Sequence, residues 1–159
     1  MLPHLDGDYG NPSSIHAMGR RARAAVDDAR DRLAAVLGAR PHEIIFTGGG
    51  TESCNLGLMG LARAHAVKGK HIVVSAVEHH AVLHAAEHLQ HFEGFDVTIL
   101  PVDSSGIVDP AFLKRMIRKD TTVVSIMHAN NETGAIQPVT EIAGVCAAVS
   151  YTHLRAHET

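Results

Sequence analysis

Short runs of β-branched and other apolar residues alternate with helical patterns along most of the chain, and this alternation limits the fold more than any other feature. The strand-like runs lie at residues 43–46, 72–75, 97–102 and 122–127. Apolar residues that recur every three or four positions predict helices at residues 15–37, 51–67, 81–92, 110–118 and 139–149. Such alternation is typical of βαβ units. We therefore predict an α/β fold with three α/β/α layers and a mostly parallel sheet.

Glycines mark the boundaries between several of these elements. Gly38 follows the last apolar residue of the first helical pattern and predicts the end of that helix. A Ser-Ser-Gly turn is predicted at residues 104–106. Three successive glycines at residues 48–50 separate a predicted strand from a predicted helix, which gives the order strand, glycine loop, helix.

Charge and composition argue against several classes of function. The 14 Lys and Arg residues are dispersed among 17 Asp and Glu, so no basic stripe indicates nucleic acid or an anionic membrane. No apolar run approaches the roughly 20 residues of a spanning helix, and the first residues lack a signal-peptide layout. Cys54 and Cys146 match no metal spacing and favour reduced thiols. We expect a cytoplasmic protein with a small-molecule partner, and no nucleic acid or membrane partner.

The glycine loop is the strongest local signal for a ligand. Residues 46–53 read Phe-Thr-Gly-Gly-Gly-Thr-Glu-Ser, so backbone N–H groups and the positive end of a helix dipole converge there. The hydroxyls of Thr51 and Ser53 could donate further hydrogen bonds to a phosphate. The sequence fits neither a Walker loop nor a dinucleotide fingerprint. A plain turn with Thr51 as a helix cap remains an equal alternative on the loop alone.

Polar segments follow two other predicted strands. Glu78-His79-His80 comes after one strand, and residues 128–134, which include Asn130 and Asn131, come after another. In an open parallel sheet, ligands collect beyond the carboxyl ends of the strands. An imidazole there could stack on an aromatic ring and move protons, and a carboxamide could donate to a ring oxygen. Helix capping by His79 and turn formation by the asparagines are the alternatives.

These segments resemble a known family when taken in order. The motifs are residues 10–16 (Gly-Asn-Pro-Ser-Ser-Ile-His), 46–53, 77–79 (Val-Glu-His) and 127–134 (Met-His-Ala-Asn-Asn-Glu-Thr-Gly). Residues 1–149 resemble the first half of the large domain of cysteine desulfurases, enzymes of the class V aminotransferase group that use pyridoxal 5'-phosphate (PLP). The resemblance implies an incomplete PLP-transferase large domain, truncated at both ends. Residues 150–159 have no counterpart in the family and are expected to be a non-native tail.

The resemblance also implies roles for individual residues. It assigns Gly50 and Thr51 to the PLP phosphate, His79 to stacking on the pyridine ring with a catalytic acid-base role, and Asn131 to the phenolic oxygen. In the family, L-cysteine is converted to L-alanine and the sulfur passes to an enzyme cysteine as a persulfide. A homodimer and a sulfur-acceptor or iron-sulfur scaffold partner are implied by the resemblance alone. A selenocysteine lyase or another class V enzyme is the alternative within the group.

Two reactive groups of the family have no match in this chain. None of the lysines matches the Ser-x-His-Lys segment that holds the lysine bonded to PLP; they are Lys68, Lys70, Lys114 and Lys119. Neither cysteine matches the persulfide position. Cys54, in the first turn of a predicted helix, could be activated by the helix dipole, although a small buried residue is the simpler interpretation. We therefore expect this chain to be inactive as a desulfurase.

A histidine-rich helix supports a hypothesis of another class. His80, His84, His88 and His91 are spaced so that all four could share one helical face. That spacing suits metal ligands on successive turns, which would make the chain a non-catalytic metal-binding fragment. No carboxylate or cysteine completes an obvious site, and four histidines on a solvated face are the favoured interpretation. We predict no metal site.

Overall fold

The computed structural model describes residues 5–7 and 9–149, and the predicted tail at residues 150–159 lies outside them. The chain divides into two compact units, residues 1–46 and 47–159. In the first unit, helix α1 spans Ala17–Leu37. It begins where His16 Nδ1 accepts a hydrogen bond from the Gly19 N–H at 3.2 Å. It ends at Gly38, whose φ of 63° lies in the left-handed region, so the predicted stop is confirmed.

The strand predicted at residues 43–46 is wrong. Pro41–Glu43 form a single 3-10 turn, which the Glu43 carboxylate closes by accepting the Arg40 N–H at 2.8 Å. Residues 44–46 pair with no strand among the described residues, and Ile45 remains 69% exposed. A β-strand requires a neighbour for its backbone hydrogen bonds. A short apolar run shows that a segment suits a sheet but not that a partner is beside it.

The second unit confirms the predicted alternation of strands and helices. Its helices and strands are, in chain order, α2 (Gly50–His65), β1 (His71–Ser75), α3 (His80–Glu93), β2 (Asp96–Leu100), α4 (Pro110–Met116), β3 (Thr121–Ser125) and α5 (Val139–Val149). The strands β2 and β3 each end two residues earlier than predicted. The Ser-Ser-Gly turn is present, flanked by an isolated bridge between Val102 and Val108.

The three strands form a parallel sheet in the order β2-β1-β3. Ser75 at the end of β1 pairs with Leu100 at the end of β2, and Val74 pairs with Ser125 at the end of β3. The carboxyl ends of all three strands therefore meet at one edge. The loops that follow β1 and β3 leave the sheet side by side, because these two strands are neighbours.

Helices cover both faces of this sheet. Ile72 and Val74 of β1 pack on one face against α2 and α3, in a cluster that includes Leu58, Ala62, Val82 and Leu89. Val73 points to the opposite face, where it packs with residues of α4 and α5 that include Leu113, Ile142 and Cys146. Every residue of β1 is buried, as expected for a central parallel strand. The predicted three-layer arrangement is confirmed for this unit.

Within the described part of the chain, no helix combines the length and apolar character needed to cross a membrane.

Candidate functional site

The glycine loop leads directly into the first turn of α2. Gly49 caps the helix with extended backbone, and Gly50 is the first helical residue. The N–H groups of a first helical turn have no acceptor within the helix, and the helix dipole makes this end positive. Gly49 and Gly50 are exposed, and a Cβ atom added at either would meet no described atom within 4 Å, so a ligand can approach this turn closely. The arrangement suits a phosphate-sized anion.

Side chains within the loop hold it in shape. The hydroxyls of Thr47 and Ser53 are hydrogen-bonded at 2.5 Å, and the Glu52 carboxylate accepts the Gly48 N–H at 2.7 Å. The Ser53 hydroxyl, predicted as a possible phosphate donor, is thus engaged with Thr47. Thr51 is exposed, and its carbonyl oxygen accepts a hydrogen bond from the Asn55 side chain at 2.7 Å. The predicted helix start at this loop is confirmed.

His79 caps the next helix at the carboxyl end of β1. Its Nδ1 accepts the Ala81 N–H at 3.1 Å, and its side chain is exposed. Capping was the simpler of the two alternatives for this residue, and the structure contains that contact. Because Nδ1 is an acceptor, the proton of the neutral ring must lie on Nε2. His79 therefore presents an exposed ring whose Nε2–H remains available to donate.

Asn130 organises the loop that follows β3. Its Oδ1 accepts the N–H groups of Glu132 and Thr133 at 2.9 and 2.8 Å, and its Nδ2 donates to the Val77 carbonyl at 3.0 Å. The loop closes at Gly134, whose φ is 74°. Asn131, the residue assigned to the ligand, is exposed beside it. The turn chemistry expected of this asparagine pair is thus carried by Asn130.

Glu78 is a buried acid whose contacts the sequence did not reveal. Only 8% of the residue is exposed, and its Oε1 accepts hydrogen bonds from the Ser75 hydroxyl and the Met127 N–H, at 3.1 and 2.5 Å. Burial raises the pKa of this carboxyl, although both hydrogen bonds oppose the shift. Its place just after a strand was visible in the sequence. Its inward orientation was not.

Both cysteines lie in apolar surroundings. Cys54 packs against the core between α2, α3 and the sheet, and burial, assisted by the nearby Glu78 charge, raises the pKa of its thiol. This direction does not favour a reactive thiolate, and the half-buried position against the core agrees with the simpler interpretation. Cys146 lies in the opposite core, where burial raises its pKa to about 11. Neither thiol is a ready nucleophile.

The histidines of α3 do not converge. The rings of His80 and His84 stack with centroids 5.5 Å apart, whereas His88 packs against Phe92 and His91 bonds the Glu87 carbonyl. No group of three or more His, Cys, Asp or Glu side chains among the described residues is placed to hold a metal ion. The four-histidine face is thus divided between different local contacts.

Comparison with known proteins identifies the family of this chain. A family model described as aminotransferase class-V matches residues 1–153. The chain belongs to this family. It is 50% identical to cysteine desulfurase IscS of Dictyoglomus turgidum, over 100% of this chain and 40% of that protein. The chain thus spans less than half the length of this curated relative.

Two solved structures show the same fold in relatives. The match to a NifS-like protein covers 99% of this chain and 44% of the NifS-like chain, with a TM-score of 0.87 and 38% identity. The match to the structure described as SspA in complex with cysteine covers 96% of this chain and 44% of the SspA chain, with a TM-score of 0.83 and 36% identity. These likenesses agree with the incomplete PLP-transferase domain expected from the four motifs.

Proposed function

We propose that this class-V chain forms part of the PLP site of a cysteine desulfurase. The proposed reaction converts L-cysteine to L-alanine and transfers the sulfur to an enzyme cysteine as a persulfide, for iron-sulfur cluster or thio-cofactor synthesis. The observation that carries the proposal is the open glycine loop at the start of α2, which offers phosphate donors in a chain of this family. A cytoplasmic homodimer that passes sulfur to an acceptor or scaffold protein belongs to the same proposal.

The donor set fits PLP group by group. Gly50 and Thr51 would hold the phosphate through backbone N–H groups and a hydroxyl, which are the donors a phosphate prefers. The exposed amide of Asn131 would donate to the phenolic oxygen, and the ring of His79 would lie against the pyridine ring. When bound, PLP would supply the electron sink for bond cleavage in the amino acid.

His79 is the proposed proton carrier among the described residues. Its Nδ1 is occupied by the helix cap, so Nε2 is the atom that would donate or accept a proton. The same capping bond orients the ring, which restricts where that proton is delivered. Glu78, the adjacent acid, is turned into the protein interior and bonded to Met127, so it has no comparable access to a ligand.

A binding titration tests the proposal. Pyridoxine 5'-phosphate, which has an alcohol in place of the aldehyde and forms no adducts with exposed lysines, is titrated into the chain and followed by its absorbance and fluorescence. We expect saturable binding, weakened about tenfold by Thr51→Val or Asn131→Ala, which corresponds to one hydrogen bond to a charged or polar group. Pyridoxine without the phosphate should bind far more weakly. Equal affinity for the two ligands would contradict the phosphate assignment.

Matched variants separate the proposed stacking of the His79 ring on the ligand from its capping of α3. His79→Asn keeps a capping side chain but removes the ring, whereas His79→Phe keeps a ring and removes the cap. We expect His79→Asn to weaken binding of the probe more than His80→Asn, its neighbouring control. If His79→Asn and His80→Asn bind equally well, His79 has no stacking role.

The chain itself is expected to release neither sulfide nor alanine from L-cysteine above a control with free PLP. Each lysine is exposed, and Lys70 donates to the Glu93 carbonyl at 2.8 Å, at the opposite end of α3 from His79. Burial raises the pKa of both thiols, which disfavours the thiolate that would accept sulfur. Alanine production by the purified chain would overturn this part of the proposal.

A further inference from the structure

Two side chains cross in opposite directions between the loops that follow β1 and β3. Glu78, in the first loop, accepts the Met127 N–H of the second loop. Asn130, in the second loop, donates through Nδ2 to the Val77 carbonyl of the first loop at 3.0 Å. Each loop therefore supplies one side chain and one backbone group. We refer to Glu78 and Asn130 together as the reciprocal latch.

The latch lies beyond the region where the sheet already joins the strands. The pairing of β1 with β3 ends at Val74 and Ser125. The two bonds of the latch therefore lie outside the paired residues of the strands and join one loop to the other. Burying a carboxyl group is unfavourable unless it is hydrogen-bonded, so the buried Glu78 depends on the Ser75 hydroxyl at the end of β1 and on the Met127 N–H of the second loop.

Each latch residue immediately precedes an exposed residue of the proposed site. Glu78 is buried and His79 is exposed, and Asn130 is half-buried next to the exposed Asn131. The His79 backbone is extended, and successive side chains of an extended chain point to opposite sides. Glu78, which is fixed by hydrogen bonds, therefore fixes the direction of His79, whereas Asn131 lies in the turn whose N–H groups bond the Asn130 side chain.

A bridge and several hydrogen bonds connect Asn131 to Asn130 within the second loop. Ala129 and Ile136 form an antiparallel bridge, and the N–H groups of Asn130 and Gly134 bond Ala135 and Asn130 carbonyls at 2.9 Å. Because Asn130 Oδ1 also accepts two N–H groups within this hairpin, its side chain ties the hairpin as a unit to the His79 loop.

We propose that Glu78 and Asn130 are positioning residues whose reciprocal hydrogen bonds hold His79 and Asn131 at a set separation on the carboxyl edge of the sheet. The inference rests on the proposed function, since it assumes that these two exposed residues act on one ligand. It assigns the neighbouring residues to orientation and leaves ligand contact to His79 and Asn131.

The test compares variants that break or keep individual bonds. Glu78→Ala removes the bond to Met127, whereas Glu78→Gln keeps an acceptor oxygen at the same place. Asn130→Asp keeps the oxygen that organises the turn but removes the donor to Val77. Glu132→Ala, an exposed change in the same hairpin, is the control. Binding of pyridoxine 5'-phosphate and amide hydrogen exchange at Ala81, the N–H that His79 caps, are measured well below the melting temperature.

We expect Glu78→Ala and Asn130→Asp each to weaken binding about tenfold and to speed exchange at Ala81 several-fold. Glu78→Gln should stay within about twofold of the unchanged chain in both measurements, as should Glu132→Ala. A general loss of packing would lower the melting temperature without this rescue by Gln. If Glu78→Ala fails to fold, Asn130→Asp alone decides the question.

The failure of the latch can be distinguished from the failure of the proposed function. If the unchanged chain does not bind the probe, the proposed PLP site is wrong, and Ala81 exchange alone judges the latch. If the chain binds the probe but Asn130→Asp matches Glu132→Ala in affinity and in exchange, the latch is overturned.

Discussion

The two ends of β1 each bury a titratable side chain, and they use it differently. At the amino end, His71 is fully buried, with Nδ1 and Nε2 hydrogen-bonded to the hydroxyls of Thr121 and Thr98 at 2.6 and 2.8 Å. Beyond the carboxyl end, Glu78 bonds Ser75 and Met127. Burial lowers the pKa of His71 and raises the pKa of Glu78, so both sites favour the neutral form.

The partners of these two groups explain the difference. His71 joins residues of all three strands, and both ring nitrogens are satisfied inside the sheet. Glu78 joins the loop after β1 to the loop after β3, and the residue that follows it, His79, is exposed. Burial and a shifted pKa occur at both positions. These two properties therefore do not distinguish a residue that stabilises the fold from one at a candidate functional site. What distinguishes the carboxyl edge is the exposed, chemically useful residue beside the buried one.

Loss of His71 is expected to have the largest effect on stability. His71→Ala leaves a cavity and removes two hydrogen bonds from buried or half-buried threonines, so we expect the free energy of unfolding to fall by about 3 kcal/mol. Urea denaturation measures this, with the exposed His84→Ala as control. Affinity for pyridoxine 5'-phosphate, measured where the variant is folded, should not change. A loss below about 1 kcal/mol would show that the threonines find other partners.

Glu78→Ala is expected to lower the free energy of unfolding less than His71→Ala does, and to weaken binding of pyridoxine 5'-phosphate more. Two hydrogen bonds are lost, but removing a buried carboxylate also removes a desolvation penalty, so we expect a loss of about 1 to 2 kcal/mol in the same denaturation experiment. Glu78→Gln should be close to neutral. If Glu78→Ala proved as destabilising as His71→Ala and left binding unchanged, the contrast between the two ends of β1 would disappear.

The two groups should give opposite dependences of stability on pH. The unfolded chain binds a proton at His71 more readily than the folded chain does, so the His71 contribution is complete above about pH 6.5 and is lost as the pH falls. The folded chain keeps the Glu78 proton to higher pH, so stability falls as the pH rises above about 4.5. Denaturation of the unchanged chain, His71→Ala and Glu78→Gln across this range should show each slope vanish in its own variant.

The smallest effect is expected at the rim of the amino edge. Arg118 contacts Asp96 at 2.5 Å and Asp120 at 3.0 Å, but all three side chains are largely exposed. Exposed ion pairs are weak and screened by salt. Arg118→Met should therefore change the melting temperature by about 1 °C or less, and not at all in 1 M NaCl. A large change that persists in salt would make this rim part of the His71 network.

Several features of the fold followed from local patterns. Apolar spacing predicted each helix of the second unit, and Gly38 correctly marked the end of α1. The strand at residues 43–46 failed because strand formation depends on a neighbour, which is not a local property. The half-burial of Cys54, which agrees with the simpler of its two interpretations, also depends on tertiary packing, here between α2, α3 and the sheet.

The sequence by itself determined the order of strands and helices in the second unit, the glycine loop and the family, because periodicity, turn chemistry and ordered motifs are written along the chain. Only the tertiary structure decided which polar residues turn inward. Glu78 and His79 are adjacent and equally polar, yet one is buried against Met127 and the other is exposed. The buried Glu78 has a hydrogen-bond partner 49 residues away, and such partners are set by strand pairing rather than by local sequence.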